Sequence, residues 1–290
     1  MKGMTRKAGR VRPKVTQRLG SRQFLTDQLS IKFSLLTTLV RRDLEARYKG
    51  SILGNLWPLL NQLVQLLIYI YVFSIVLQVK LDIQGMPQDS QLTFGLWLFA
   101  GLVPWFAFTN GLTQASTSVV VQPNLVKKVV FPLGLLPLVP IFSTFIESLL
   151  GLMILIATVV FSSQTLHQTL WLLPLLWISQ LLLTAGLGYW TAGLTVFLRD
   201  IPQSLGVILN LWFYLTPIVY PLAKIPESWQ VWILWLNPMT AIVEAYRDLV
   251  LVGEIQHSGE LATASIVAII LFSSGLWIYR RLRPAFADVL

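Results

Sequence analysis

The chain has 290 residues, of which 55% are hydrophobic and 12% are charged, and its formal net charge is +9. Because soluble domains carry about 25% charged residues, this composition excludes an ordinary soluble protein and indicates a membrane protein with several spans. The absence of cysteine excludes disulfides, thiol catalysis and cysteine metal sites. The two histidines, His167 and His257, are far apart in the chain, so we expect solvated loop residues and no metal site.

The first 50 residues contain 13 of the 22 Lys and Arg. Residues 1–30 combine many of these cations with few apolar residues, which predicts a disordered basic cytoplasmic tail attracted to anionic lipid. Residues 31–50 are predicted to form an amphipathic interface helix, because apolar and basic residues divide between the two halves of its helical wheel. Asp43 and Arg47 point into the apolar half and are spaced to pair with each other. The alternative is that the cations of this stretch only orient the protein in the membrane.

Residues 51–283 are predicted to form a transmembrane domain, because they contain several apolar runs of the roughly 18 residues that suggest a membrane span. The predicted spans are Gly54–Val79, Leu92–Val119, Leu135–Phe161, Leu170–Leu198, Gln203–Tyr220 and Leu261–Tyr279. With the amino terminus inside, 19 of the 22 Lys and Arg lie on the inner side, as the positive-inside rule requires. The predicted fold is therefore an all-α integral membrane protein with six spans and cytoplasmic termini, including the C-terminal tail 284–290.

Residues 220–260 differ from the other connections, because they contain apolar pieces that are too short to cross a bilayer and are bounded by prolines. Such pieces indicate short re-entrant helices that pack against protein or a water-filled cavity. The alternative is an amphipathic outer loop that rests on the lipid headgroups, with its tryptophans forming an aromatic belt. The spacing of the residues fits both interpretations.

Few residues of the predicted spans could support catalysis or proton transfer. Glu147 is the only carboxylate within them, and the serine and threonine one turn before it favour a neutral, hydrogen-bonded packing role. On the outer side, Glu244 and Asp248 are one turn apart beside Arg247, which is typical of a solvated charged face. The chain also has no Gly-Lys pair and hence no phosphate-binding loop for ATP. We therefore expect that this chain is not an enzyme.

One face of the first predicted span combines amide and aromatic side chains. Its members recur at steps of three and four residues and are Asn55, Gln62, Gln65, Tyr69 and Phe73. Amides in hydrocarbon must face protein or water, so this strip is predicted to line a conduit. The alternative is that the amides only bond to neighbouring helices. In the fourth span, Ala185, Gly188 and Ala192 have the small-residue spacing of closely packed membrane helices.

Five stretches of the chain resemble the membrane subunit of ABC transporters that export polysaccharides such as O-antigen, capsule and teichoic acid precursors. The stretches are RRDLEARYKGSILGNLWPLLNQL, LFAGLVPWFAFTNGL, NLVKKVVFPLGLLPL, VFLRDIPQ and LTPIVYPLAKIPESWQVWILWLNPMTAIVEAYRDLVL. The resemblance covers Leu35 to Arg283, which is nearly the whole chain. It implies one subunit of an ATP-driven exporter that moves a lipid-linked polysaccharide across the bacterial inner membrane.

The resemblance also implies partners and a division of roles. Two copies of this chain would form a homodimer in the lipid, and two copies of a separate ABC-type ATP-binding subunit would hold ATP and magnesium. This chain is therefore expected to bind no cofactor itself, and nucleic acid is not an expected partner. The residues implied to couple to the ATPase are Lys127, Lys128, Arg199 and Asp200. Their alternative role is only to set the topology.

The two mouths of the conduit are implied in the same way. Residues 220–260 would hold a pair of outer gate helices. The gate residues are Trp229, Trp232, Trp235 and Tyr246. A lipid-linked pyrophosphate that enters from the inner face would meet Arg41, Arg42 and Arg47, since arginine binds phosphate oxygens through paired hydrogen bonds. Arg47 is favoured because it points away from the solvated face.

Two other functions stay open from the sequence. The first is an ABC permease for another lipid or a drug, and the second is a membrane enzyme of glycan assembly.

Overall fold

The computed structural model describes residues 21–78, 91–128 and 131–290, and within them every regular element is a helix, as predicted. The helices in chain order are α1 Ser21–Arg47, α2 Trp57–Tyr69, α3 Gln91–Thr117, α4 Pro123–Lys128, α5 Leu138–Ser163, α6 Leu173–Thr195, α7 Ile201–Leu215, α8 Glu227–Leu236, α9 Pro238–Arg247, α10 Ser258–Leu282 and α11 Phe286–Val289. Helix α2 continues as a π-helix over Ile70–Val76, and α9 continues in the same way over Asp248–Val252.

Helix α1 corresponds to the predicted interface helix but begins at Ser21 rather than at residue 31. Residues 1–20 of the predicted tail lie outside the described residues. The helix packs against α5. It ends before Gly50, whose φ of 83° is a left-handed conformation that glycine adopts without steric cost. This turn directs the chain into α2, and Pro58 lies in the first turn of α2, where its missing N–H is not needed.

Six apolar helices, α2, α3, α5, α6, α7 and α10, coincide with the six predicted spans. In the described part of the chain, four segments are long and apolar enough to cross a membrane. These segments are Thr93–Thr117, Leu133–Ser163, Gln168–Thr195 and Ser258–Val289. The other two apolar helices, Trp57–Phe73 and Ile201–Leu215, are shorter. The structure therefore confirms the apolar helices and four of them as candidate spans.

Helix α3 is the central helix of the bundle. Its most apolar window is 83% buried, whereas that of α10 is only 17% buried, so α3 lies inside the protein and α10 lies at its periphery. The helix has no polar stripe and packs against α2, α5, α6, α7 and α9. Pro104 lies inside α3, and its carbonyl accepts a hydrogen bond from Gln180 of α6.

Helices α6 and α10 form the closest helix pair of the fold. A methyl group added at Gly186 would lie 2.5 Å from the backbone nitrogen of Phe272, and one added at Gly275 would overlap the carbonyl oxygen of Gly186. Small residues thus let the two backbones approach directly. The predicted close packing at Gly188 is also confirmed, since a methyl group there would meet Ile141 on α5 and the β-carbon of Ala115 on α3.

The bundle has two ends that differ in composition. We call one the basic end, which carries α4, the α6–α7 turn and α11, with α1 beside it. We call the other the gate end, which carries α8, α9 and the loop before α10. Helix α9 and its π-helical extension are almost wholly buried, whereas no residue of α8 is buried.

Candidate functional site

A polar network joins α1, α3 and α5 at the basic end. The Arg47 guanidinium lies 2.8 Å from Asp43 on α1 and 3.2 Å from Glu147 on α5. Arg47 also donates a 2.6 Å hydrogen bond to the side-chain oxygen of Gln114 on α3. The side chains of Arg47 and Glu147 are 18% and 19% exposed, so the pair is largely shielded from solvent. The predicted Asp43–Arg47 pair is confirmed.

Glu147 has different partners from those predicted. Besides Arg47, it accepts a 3.0 Å hydrogen bond from the Tyr48 hydroxyl. Burial, together with the nearby Glu147 carboxylate, raises the pKa of Tyr48 to about 12, so this hydroxyl stays protonated as a donor. Glu147 is thus hydrogen-bonded as predicted, but Ser143 and Thr144 are not its partners, because the Thr144 hydroxyl donates to backbone carbonyls of Ile141 and Ala107. The Ser143 hydroxyl has no hydrogen-bond partner among the described residues.

The three arginines predicted to bind pyrophosphate have three different environments. Arg41 pairs with Glu45 at 2.8 Å on the exposed face of α1. Arg47 uses four of its five N–H groups on Asp43, Glu147 and Gln114.

Arg42 is the third of these arginines and lines a cavity of about 360 Å³ between α1, the end of α3, α4 and the start of α5. The same cavity is also lined by Gln114, Gln122 and Asp43, whose carboxylate is paired with Arg47. Within the described residues, no hydrogen bond or ion pair engages the Arg42 guanidinium.

The described side chains of the strip predicted to line a conduit are half-buried. Gln62 lies against Gly151 of α5, and the Gln65 amide donates to the Tyr69 hydroxyl. The Phe73 ring stands 5.4 Å from the Phe94 ring of α3. The backbone of Asn55 lies in the 3₁₀ turn before α2. The opposite face of α2, which includes Leu63 and Leu67, is exposed.

The residues predicted at the outer gate divide between two environments. Trp229, Trp232 and Trp235 are exposed along α8, whereas Tyr246 on α9 is buried. The Tyr246 hydroxyl donates a 2.8 Å hydrogen bond to the Gln180 side chain of α6. The Gln180 amide in turn donates a 2.8 Å hydrogen bond to the carbonyl of Pro104. Two side-chain hydrogen bonds of Gln180 thus link α9 through α6 to α3. This role of Gln180 was not predicted from the sequence.

Arg247 is the centre of a buried polar cluster, not part of a solvated face. It is 2% exposed and lies 2.7 Å from the Glu244 carboxylate. Its guanidinium donates to the carbonyls of Pro217 and Ile218 at 2.8 and 2.9 Å, and it lies 3.5 Å from the centre of the Trp97 ring. The predicted solvated face is therefore wrong, because backbone carbonyls and a ring from distant segments replace water around this cation.

The same correction applies to Asp248 and His257. The buried Asp248 carboxylate lies 3.0 Å from the His257 ring and accepts hydrogen bonds from the backbone N–H groups of Gln256 and His257. His257 and His167 are both half-buried rather than solvated. The hydrogen bond to Asp248 raises the pKa of His257 above its ordinary value, although burial opposes the shift.

The predicted coupling residues lie at the basic end. Lys127 is exposed on α4, and Arg199 and Asp200 are exposed in the turn between α6 and α7. The backbone of Lys128 belongs to the last turn of α4. These elements surround an aromatic cluster that was not predicted, in which Phe286 of α11 packs on Tyr279 of α10.

The described residues offer no cluster of three or more His, Asp or Glu that could hold a metal ion. The shielded carboxylates among these residues pair instead with arginine, tyrosine or histidine side chains. These pairs are part of the packing between helices.

Comparison with known proteins identifies the family. The sequence profile of the ABC-2 type transporter family matches residues 34–251. The chain is 30% identical over 263 residues to an O-antigen export system permease protein RfbA of Klebsiella pneumoniae, a match that covers 90% of this chain and 97% of that protein. It is 30% identical over 255 residues to the RfbA of Myxococcus xanthus, covering 88% and 94% of the two chains. It is also 25% identical over 252 residues to the polysialic acid transport protein KpsM of Escherichia coli, covering 83% and 91%. The chain belongs to the ABC-2 type transporter family of membrane proteins.

Proposed function

We propose that this chain is the channel-forming subunit of an ATP-driven exporter that moves a lipid-linked polysaccharide from the cytoplasmic side across the bacterial inner membrane. The observation that carries the proposal is the match over 90% of the chain to a permease named for O-antigen export. The relative named for polysialic acid transport favours a polysaccharide over another lipid or a drug. The engagement of Glu147, Glu244 and Asp248 in polar networks disfavours an enzyme of glycan assembly, which needs a free acid or base.

The proposed assembly contains two copies of this chain and two ATP-binding subunits that hold ATP and magnesium. The absence of a phosphate-binding loop from this sequence supports a separate ATPase. We place the basic end and both termini in the cytoplasm, since the positive-inside rule favours that orientation of the six spans. Coupling to the ATPase is assigned to Lys127, Lys128, Arg199 and Asp200, whose segments lie together at this end. Helices α8 and α9 then form the outer gate.

We propose Arg42 as the first contact of the lipid-linked pyrophosphate. Arg47 is occupied by two carboxylates and Arg41 by Glu45, whereas Arg42 lines the cavity of about 360 Å³ beside α1. Polar groups of Gln114 and Gln122 lie in the same cavity. A free guanidinium can bind a phosphate group through two parallel hydrogen bonds, a geometry that a lysine ammonium does not provide.

We propose that the strip Asn55, Gln62, Gln65, Tyr69 and Phe73 lines the conduit in the transporting state. In the protomer, Gln62 and Phe73 contact α5 and α3, so lining requires that α2 separates from these helices during turnover. In this cysteine-free chain, Gln62→Cys and Tyr69→Cys should react with a water-soluble thiol reagent only while ATP is hydrolysed. Equal protection of both positions at rest and during turnover would show that the amides only bond to neighbouring helices.

Deletion of the gene tests the function directly. Without this chain, the lipid-linked glycan should accumulate on the inner leaflet, and its surface form should disappear. Complementation with the wild type should restore the surface glycan, and co-purification should recover an ATPase with a phosphate-binding loop. Unchanged surface glycan in the deletion strain, or accumulation of an unfinished glycan instead of a complete one, would contradict an export role.

A further inference from the structure

The end of the chain folds back onto the bundle. After α10, the turn Arg283–Ala285 leads into the short helix α11 and the terminal Leu290. Phe286 is 0% exposed. The centroid of its ring lies 5.4 Å from that of the Tyr279 ring on α10 and 6.2 Å from that of the Phe197 ring after α6. The predicted cytoplasmic tail 284–290 is therefore attached to the bundle through a buried aromatic side chain.

The same cluster reaches the elements assigned to coupling. Helix α11 contacts α4, and Leu125 and Val126 of α4 pack against the cluster that contains Phe286. Phe197 lies in the same α6–α7 turn as Arg199 and Asp200. One apolar cluster thus holds α4, the α6–α7 turn and the C-terminal segment together.

Two tyrosines attach this cluster to the membrane helices. The Tyr279 hydroxyl of α10 donates a 2.8 Å hydrogen bond to the carbonyl of Leu133. The Tyr189 hydroxyl of α6 donates a 2.9 Å hydrogen bond to the carbonyl of Gly134. Both carbonyls belong to the 3₁₀ turn between α4 and α5. These two hydrogen bonds attach the turn that precedes α5 to both α6 and α10.

The outer surface of this cluster is charged. Its exposed side chains are Lys127, Arg199, Asp200, Arg280, Arg281, Arg283 and Asp288. Cations outnumber carboxylates among them, so the surface is complementary to an acidic face of a protein partner. This charged surface lies at the basic end of the bundle. The proposed function places the ATP-binding subunit at the same end.

We infer that residues 283–290 form a third part of the surface that binds the ATP-binding subunit, beside α4 and the α6–α7 turn. Phe286 packs these three segments together. This inference rests on the proposed function. Phe286 is a positioning residue, because it is buried and acts through α4 and Phe197. Arg283 is a contact residue at the exposed surface. ATP-driven movement of the partner is then delivered to α6 and α10 together.

Substitutions at Phe286 and at Arg283 in the full chain test the inference in lipid nanodiscs with the purified ATP-binding subunit. Phe286→Ala should weaken binding of that subunit about tenfold, and Phe286→Leu, which keeps apolar packing, should restore most of it. Phe161→Ala is the matched control, since Phe161 is 85% exposed at the gate end of α5. Arg283→Glu should also weaken binding and reduce its salt dependence. Lys224→Glu makes the same charge change at the gate end and should have no effect.

The outcomes separate the inference from the proposed function. Normal binding and normal coupled ATP hydrolysis by a folded Phe286→Ala variant would overturn the role of Phe286. If that variant does not fold, Arg283→Glu decides, and unchanged binding by Arg283→Glu would overturn the docking surface. Failure of the wild-type chain to bind any ATP-binding subunit would instead contradict the proposed function itself.

Discussion

Arg47 joins three helices, because its guanidinium contacts carboxylates on α1 and α5 and an amide on α3. Two carboxylates share this one cation, and the site is largely shielded from water. Removal of Arg47 would leave the Asp43 and Glu147 carboxylates without their shared cation, which is costly at a shielded site. The residue therefore determines where the interface helix lies against the bundle.

A double-mutant cycle measures this contact. We expect Arg47→Gln and Glu147→Gln to couple by about 1–2 kcal/mol in the free energy of unfolding, because the pair is shielded and shares hydrogen bonds. The control pair is Arg41 with Glu45, whose side chains are 82% and 60% exposed, and its coupling should lie within about 0.5 kcal/mol of zero. Equal coupling in the two cycles would show that Arg47 only contributes to membrane orientation.

His257 is expected to titrate above 6.5, the ordinary pKa of histidine. Because its pKa is raised in the folded state, the pairing with Asp248 contributes its full stability below pH 6.5 and loses it as the pH rises through the folded-state pKa. NMR titration of the two imidazoles, with His167→Gln for assignment, measures this value. Asp248→Asn should lower it, and a wild-type His257 that titrates at or below 6.5 would contradict the structure.

At the scale of elements, α8 and α9 differ although they adjoin in the sequence. Helix α9 is surrounded by α3, α6 and α10, whereas α8 has exposed tryptophans. Asn237 separates them, and its side chain accepts from the Met239 backbone and from the Trp212 ring. Helix α9 is therefore a buried part of the bundle, whereas α8 lies at its surface.

Hydrogen exchange distinguishes these two helices. In nanodiscs, backbone amides of α8 should exchange at least about tenfold faster than those of α9, since buried elements open only with larger structural changes. Arg247→Lys should accelerate exchange in α9, because lysine cannot contact Glu244 and the carbonyls of Pro217 and Ile218 together. Equal exchange rates in the wild-type α8 and α9 would mean that the two helices open together.

Local sequence patterns correctly predicted the features that depend on residues close together in the chain. Apolar runs located all six apolar helices, and the spacing of Asp43 and Arg47 predicted their ion pair. The contact between Arg47 and Glu147 joins residues 100 positions apart, so no local spacing could indicate it. Arg247 was misplaced for the same reason, since its acceptors at Pro217 and Ile218 belong to another segment. Periodicity identifies a polar residue but cannot identify a distant partner.

At the scale of the whole molecule, α6 and α10 connect the two ends. At the basic end, Tyr189 and Tyr279 bond to the turn after α4. Towards the gate end, the Ser179 and Ser265 hydroxyls lie 2.9 Å apart across the pair, and Gln180 bonds to Tyr246 of α9. Because the two backbones touch at glycines in between, the pair is suited to transmit movement as one rigid unit.

Gly275→Ala tests this rigid pair. The added methyl group would overlap the carbonyl oxygen of Gly186, which belongs to backbone and cannot move aside as a side chain would. We expect a loss of about 1–3 kcal/mol in the free energy of unfolding, as for other overpacked sites. The forced separation of α6 and α10 should also lower export per ATP hydrolysed, because movement at the basic end would no longer reach α9.

Gly206→Ala supplies the matched control, since nothing lies within 4 Å of a methyl group at that position of α7. Alanine is favoured over glycine inside a helix, so this variant should gain about 0.5–1 kcal/mol and keep its export per ATP. A Gly275→Ala variant that loses stability but exports normally would show that the pair is only a packing contact. Equal losses of export in both variants would point instead to a general intolerance of alanine, and the rigid connection between the two ends would have to be abandoned.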